Sequence, residues 1–278
     1  MRPPLLVSLN GGRGAADGPA VPMSPGALAQ SALGAVAAGA GEVLVHPRTP
    51  CGRESLSPRV VGPALEALRD AGVGVPLSVP AGVPAEPDPA ARLERVRAWP
   101  LLPDRAEVRF AEPGAVELAE ALLDRGVSVD AVVPLGGPAG PEPLARFLAW
   151  PLRDPGGRVR LAVELAAAQP ALVAGLGGLP PVALLLYGRG DAAWPVLRLA
   201  ARCGTGARTG AGDVLHLPDG RRARSNAELV AAAVAVRAEA DAADAAGTAG
   251  GAEAADGARG GGARAGGARG GGATAGSR

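Results

Sequence analysis

His46 and Arg48 stand just past the apolar run Glu42-Val-Leu-Val45. A histidine ending a strand is a metal ligand or an acid–base group, and a guanidinium beside it binds carboxylate or phosphate in a forked geometry. Arg208 and Asp213 flank Thr209-Gly-Ala-Gly212, a turn whose glycines admit a ligand close to the backbone while an arginine–aspartate pair positions a proton acceptor. Asp130 and Glu164 close two further apolar runs and suit an acid–base pair. Each residue also has a structural reading: a histidine satisfied in a loop, arginines paired with neighbouring carboxylates, acids solvated at the surface. His216, in Leu215-His-Leu-Pro-Asp-Gly220, is expected to be structural.

The elements that must position these groups repeat at about thirty residues, with apolar β-like runs alternating with Ala/Leu/Arg-rich helical stretches. Strands are predicted at Leu5 to Leu9, Glu42 to His46, Val75 to Val79, Glu107 to Phe110, Ser128 to Val133, Arg158 to Glu164, Val182 to Tyr187 and Thr205 to Thr209. Helices fall between them, and a last helix runs from Ala227 to about Ala240 after a Ser225-Asn226 cap. Strands that read as near-continuous apolar runs between helices predict a parallel sheet closed into a (β/α)8 TIM barrel, with a doubly wound open sheet as the alternative. Barrel geometry sends Asn10, His46, Arg48, Ser78 or Pro80, Arg109, Asp130, Glu164, Tyr187, Arg189, Arg208 and Asp213 to one mouth.

Composition narrows the chemistry. All 28 basic residues are arginine, so Schiff-base aldolase chemistry, pyridoxal-phosphate anchoring and the Walker lysine are excluded. No Gly-x-Ser-x-Gly elbow occurs, and Cys51 and Cys203 lack metal-ribbon spacing. A formal net charge of +1 leaves no electrostatic footprint for nucleic acid. The N-terminal apolar run is too short for a signal peptide, and Gly175, Gly177, Gly178, Pro180 and Pro181 interrupt the apolar stretch from Pro170 to Leu186, so a soluble cytoplasmic protein with no membrane span is expected. Residues 241–278 are nearly all Ala, Gly and scattered charge, a composition expected to be a disordered low-complexity tail after a barrel domain at 1–240.

Several segments, in order, resemble the β-keto acid cleavage enzymes, the family of the 3-keto-5-aminohexanoate cleavage proteins. Asn10-Gly-Gly with Pro19-Ala-Val-Pro22-Met-Ser-Pro25 is similar to the family's first loop and helix. Val43-Leu-Val-His46-Pro-Arg48 with Gly52-Arg-Glu-Ser55 is similar to its His-x-His-x-Arg strand and the turn after it. Arg208-Thr-Gly210-Ala-Gly212-Asp213, then Leu217-Pro-Asp-Gly-Arg221 and Ser225-Asn-Ala-Glu-Leu-Val230, resembles its Arg-x-Gly-x-Glu-Asp motif and the following helix.

The resemblance implies carbon–carbon cleavage of a β-keto acid with acetyl-CoA, giving acetoacetate and a new acyl-CoA. It implies zinc held by two histidines and a glutamate, polarising the keto oxygen. Arg208 and Asp213 take the catalytic positions, Arg48, Asp130 and Glu164 are expected to bind substrate, and His46 is the one retained metal ligand. Leu44 occupies the first histidine position and Gly212 the glutamate, while Pro80 stands at a substrate-binding serine. One ligand of three does not hold a catalytic zinc, so the chemistry is expected to be impaired or altered. The alternative is a non-catalytic barrel that binds a β-keto acid or acyl-CoA, or a partner subunit. Family members are commonly oligomeric, so a homo-oligomer and a monomer both stay open for this chain.

Overall fold

The structure, a computed structural model, describes residues 3–151, 156–178 and 182–259. Pro180, Pro181 and the tail from residue 260 onward lie outside the described residues. The strands are β1 (Leu5–Ser8), β2 (Glu42–Leu44), β3 (Leu77–Pro80), β4 (Arg105–Arg109), β5 (Ser128–Leu135), β6 (Val159–Leu165), β7 (Ala183–Tyr187) and β8 (Gly206–Thr209). The helices are α1 (Pro25–Ala37), α2 (Pro58–Asp70), α3 (Pro89–Arg97), α4 (Ala115–Asp124), α5 (Glu142–Ala149), α6 (Pro170–Ala174), α7 (Ala193–Arg202) and α8 (Asn226–Arg259). Every strand pair is parallel and β1 closes on β8 with Leu6 opposite Arg208, which makes a (β/α)8 TIM barrel. No helix among the described residues is long and apolar enough to cross a membrane.

Local chemistry sets the helix starts. The Ser24 hydroxyl accepts from the Ala27 amide at 3.2 Å with Pro25 as the first helical residue, and Asp88 does the same for Ala91 at 2.7 Å ahead of Pro89. Ser225 caps α8 by accepting from the Glu228 amide at 3.2 Å. Asn226, fully buried, spends its side chain elsewhere: it accepts from the Ala211 amide at 2.7 Å and donates to the Leu9 and Ala20 carbonyls and the Ser31 hydroxyl. The start of α8 is thereby tied to the loops that follow β1 and β8. The helix continues past Ala240, where the sequence places its end, as far as Arg259. The chain forms two compact units, Met1–Ala240 and Asp241–Arg278.

Strand alternation builds two cores. Outward residues such as Val7, Val43, Val79, Val108 and Val163 pack beneath the helices. Inward residues form a separate apolar layer of Leu6, Leu44, Val132, Ala162, Leu185 and Tyr187. At the amino-terminal end of the barrel lies an ion network instead. Asp130 accepts from Arg105 at 2.6 and 3.0 Å and from Arg160 at 2.8 and 2.9 Å, and Arg160 continues to Glu42 at 2.7 and 3.0 Å. Burial alone would push the Asp130 carboxyl up, but the two guanidiniums outweigh it and hold the group below the ordinary range. The apolar middle layer thus separates a charged floor from a charged mouth.

Candidate active site

The mouth is assembled by strand ends. Asn10, just past β1, fixes the backbone of residue 46 from both sides: its amide nitrogen donates to the His46 carbonyl and its oxygen accepts from the His46 amide, each at 2.9 Å. The imidazole is then set by Glu54, whose Oε2 lies 3.1 Å from His46 Nδ1. Burial would raise the Glu54 carboxyl, yet His46, Arg48 and Arg109 together hold it below its usual range, so Glu54 is ionised and Nδ1–H is the donor.

On the far side, Arg208 is wholly buried and joins two carboxylates. Its Nε and NH2 donate to Asp213 at 2.8 and 2.7 Å, and NH1 donates to Glu107 at 2.6 Å. The guanidinium carbon stands 3.4 Å from the centre of the Tyr187 ring. The Tyr187 hydroxyl donates to Glu164 Oε2 at 2.8 Å, and burial, the largest influence, pushes this phenol up. Glu164 is also gripped by Arg109 NH1 at 3.3 Å and Arg189 Nε at 3.2 Å. Burial would raise its carboxyl, but Arg189, Arg109 and the Tyr187 hydroxyl keep it low.

His46, Glu54, Glu107, Arg109, Glu164 and Arg189, with Pro80, border a cavity of about 390 Å3. Beneath Pro80, the buried Ser78 hydroxyl has no hydrogen-bond partner among the described residues. A second cavity of about 530 Å3 is bordered by Arg13, Trp194, Arg198 and His216. Consecutive residues border the two, Gly12 and Arg189 the first, Arg13 and Gly190 the second.

Two substrate-binding expectations are corrected. Asp130 is not at the mouth: it is the third residue of β5, and its inward side chain belongs to the ion network at the opposite end. Arg48 ends the right strand, but its guanidinium donates to the Gly52 carbonyl at 2.6 Å and the Gly11 carbonyl at 2.5 Å, leaving 7% of the side chain exposed. It pins two loops together. Glu164 does reach the cavity. Arg208 and Asp213 sit behind it, with 1% of the Asp213 side chain exposed and both its oxygens occupied. His216 pairs through its backbone with Arg222, and its carbonyl accepts from Trp194 Nε1 at 2.8 Å.

Glu54, Glu107 and Glu112 are the cavity carboxylates that sequence reasoning passed over. Glu107 was legible from alternation, because Arg105, Glu107 and Arg109 share the inward face of β4. Glu54 was not, because a hairpin-like bridge between Arg48 and Glu54 delivers it.

The residues present do not fit a zinc ion. Leu44 fills its place with an apolar side chain in the inner layer, and Gly212 offers no donor. A Cβ at Gly212 would lie 2.2 Å from Ser8 Oγ and 2.8 Å from the Gly11 amide nitrogen, so the backbone there has closed over the space a longer side chain needs. The described residues contain no cluster of three His, Cys, Asp or Glu side chains suited to a metal.

A family model described as beta-keto acid cleavage enzyme matches residues 5–131 and 161–248. No curated protein matches the chain. Among solved structures, a ternary complex of ObcA with a C4-CoA adduct and oxalate is similar at 14% identity and TM-score 0.52, over 77% of this chain and 62% of that one. The chain therefore spans less than two thirds of that protein's length. The 3-dehydroquinate dehydratase of Aquifex aeolicus is similar at 15% identity and TM-score 0.50, over 84% of this chain and 97% of its own. A truncated 3-deoxy-D-arabino-heptulosonate 7-phosphate synthase from Thermotoga maritima reaches 14% identity and TM-score 0.53, over 88% of both chains. At such identities the likeness is one of fold.

Proposed function

The chain belongs to the beta-keto acid cleavage enzyme family, and from that premise we propose that its mouth brings a β-keto acid and a CoA thioester together for carbon–carbon cleavage. The observation that carries this reading is Glu107. It borders the cavity, and Arg208 engages only its Oε1, so Oε2 is an open proton acceptor among the described residues. Asp213 cannot serve directly while both its oxygens are held. It orients Arg208, and Arg208 orients Glu107.

In this reading Glu107 takes a proton from the carbon between the ketone and the carboxylate. That carbon attacks the acetyl thioester, and CoA leaves as its thiolate. The thiolate then attacks the original ketone carbon, the bond to the central carbon breaks, and the proton on Glu107 returns to the departing carbanion. The products are acetoacetate and a new acyl-CoA. No step runs through a metal. The second cavity supports the CoA half, because Arg13 and Arg198 suit phosphate groups and Trp194 borders the same space. 3-Keto-5-aminohexanoate is one member of the substrate panel this reading calls for.

The test incubates the purified protein with acetyl-CoA and a panel of β-keto acids, and follows acetoacetate and new acyl-CoA by mass spectrometry. Turnover that falls at least tenfold in Glu107→Gln supports the reading; absence of product and of acetyl-CoA binding sinks it. Leu44 and Gly212 favour a second reading, a barrel that binds the same ligands without turning them over. Acetyl-CoA binding without product identifies that case.

A further inference from the structure

The β-keto acid reading requires that the substrate's negative charge be met, and the residues in this mouth do not suit the zinc that would meet it. Two guanidiniums stand at the wall instead. Arg109 ends β4, Arg189 follows β7, and they approach opposite oxygens of one carboxylate: Arg109 NH1 reaches Glu164 Oε2 at 3.3 Å and Arg189 Nε reaches Oε1 at 3.2 Å. All three side chains border the same cavity and are 30%, 38% and 24% exposed for Arg109, Arg189 and Glu164.

We infer that this pair is a metal-independent site for the carboxylate of the β-keto acid. Three features carry the inference. The spacing already accommodates a carboxylate, because Glu164 sits between the two cations. Exposure singles the pair out, since Arg109 and Arg189 are open to the cavity whereas the cations of the other cavity carboxylates are 7% exposed for Arg48 beside Glu54, 3% for Arg92 beside Glu112 and 1% for Arg208 beside Glu107. Finally, each guanidinium carries five N–H donors. Among the described residues Arg109 commits NH1 alone and Arg189 commits Nε alone, the latter also 3.9 Å from Asp213. The uncommitted N–H groups are the docking edge. A planar fork suits a carboxylate better than a point charge would, so these positions favour arginine for geometry as well as for charge.

Glu164 has a definite part in this arrangement. It is a like charge beside the incoming carboxylate and holds the two guanidiniums in register before substrate arrives, so it limits affinity while fixing position. A substrate carboxylate seated here brings its ketone, one carbon away, into a cavity that also borders Glu107.

The inference rests on the family reading, and acetoacetate is the probe. The full chain is dialysed against EDTA and titrated with acetoacetate by isothermal calorimetry, with and without one equivalent of zinc. Binding that zinc changes by less than about twofold is expected. Arg189→Gln, at an exposed position that leaves folding intact, should weaken binding about tenfold, and Glu164→Gln should tighten it about threefold by removing the like charge. Arg109→Gln serves as the second variant once its thermal midpoint matches the parent's. Binding that appears only with zinc overturns the inference, as does binding unchanged in both arginine variants. In either case retained acetyl-CoA binding leaves the family reading standing; loss of both ligands removes both.

Discussion

Gly212 lies so close to Ser8 that a Cβ on its backbone would stand 2.2 Å from the serine hydroxyl oxygen. The loop after β8 and the loop after β1 have come together at this point. Gly11, with φ of +53°, completes the approach, since a Cβ there would meet the Gly212 backbone at 2.7 Å. The space a glutamate ligand would need has been taken by backbone.

Restoring the family's ligands by sequence alone should therefore fail. The double variant Leu44→His, Gly212→Glu is expected to remain below about 0.2 equivalents of tightly held zinc after dialysis, and to lose stability by about 2 kcal/mol or more through overpacking. Metal analysis by plasma mass spectrometry and urea denaturation measure the two effects. Stoichiometric zinc in a stable double variant would contradict the closure.

Asn226 ties three segments through four hydrogen bonds and is fully buried. Asn226→Ala strands the Ala211 amide and two carbonyls, so a loss of about 2–4 kcal/mol is expected from urea unfolding. A loss under about 1 kcal/mol would mean that water or a backbone shift satisfies these groups.

Asp130, Glu54 and Glu164 all have carboxyls held below their ordinary values. A folded value below the unfolded one means that the unfolded chain binds more protons in the interval between them. Their stabilisation is thus present in full above the unfolded value of about 4 and disappears as pH falls through the folded values. Asp130→Asn should cost about 3 kcal/mol at pH 7, where Arg160 and Arg105 lose their charged partner, and the gap from the parent should narrow below about pH 4. Denaturation curves at pH 7, 5 and 3 test it, and a gap that stays constant refutes it.

Cys51 is exposed, and hydrogen bonds from Thr49 and Arg53 lower its thiol to about 7. Its alkylation by iodoacetamide, followed by peptide mass spectrometry, should show a midpoint near pH 7. Thr49→Val should move that midpoint upward, and a parent midpoint at the ordinary thiol value of about 8.5 would count against the Thr49–Cys51 contact at 3.0 Å.

The sequence by itself determined a parallel sheet of eight strands between helices: near-continuous apolar runs require cover on both faces of every strand, which a closed barrel and a doubly wound sheet both supply, and alternation within β2 alone puts Leu44 and His46 on one face. Closure itself is the pairing of β1 with β8. The resemblance further implied an incomplete ligand set, through Leu44 and Gly212 at the matched positions. Only the tertiary structure decided which charged groups meet. Asp130 and Glu164 look alike as acids in apolar strands, yet one is bound into the floor and the other into the mouth, because β5 carries its acid at the third residue of eight and β6 at the sixth of seven. Arg48 and Arg189 look alike as arginines after strands, but a turn folds back to consume the guanidinium of Arg48 while Arg189 faces the cavity. Such pairings depend on contacts between residues more than a hundred positions apart, such as Glu107 with Arg208 and Glu42 with Arg160. Local spacing records which groups a chain carries, and closure of the barrel chooses their partners.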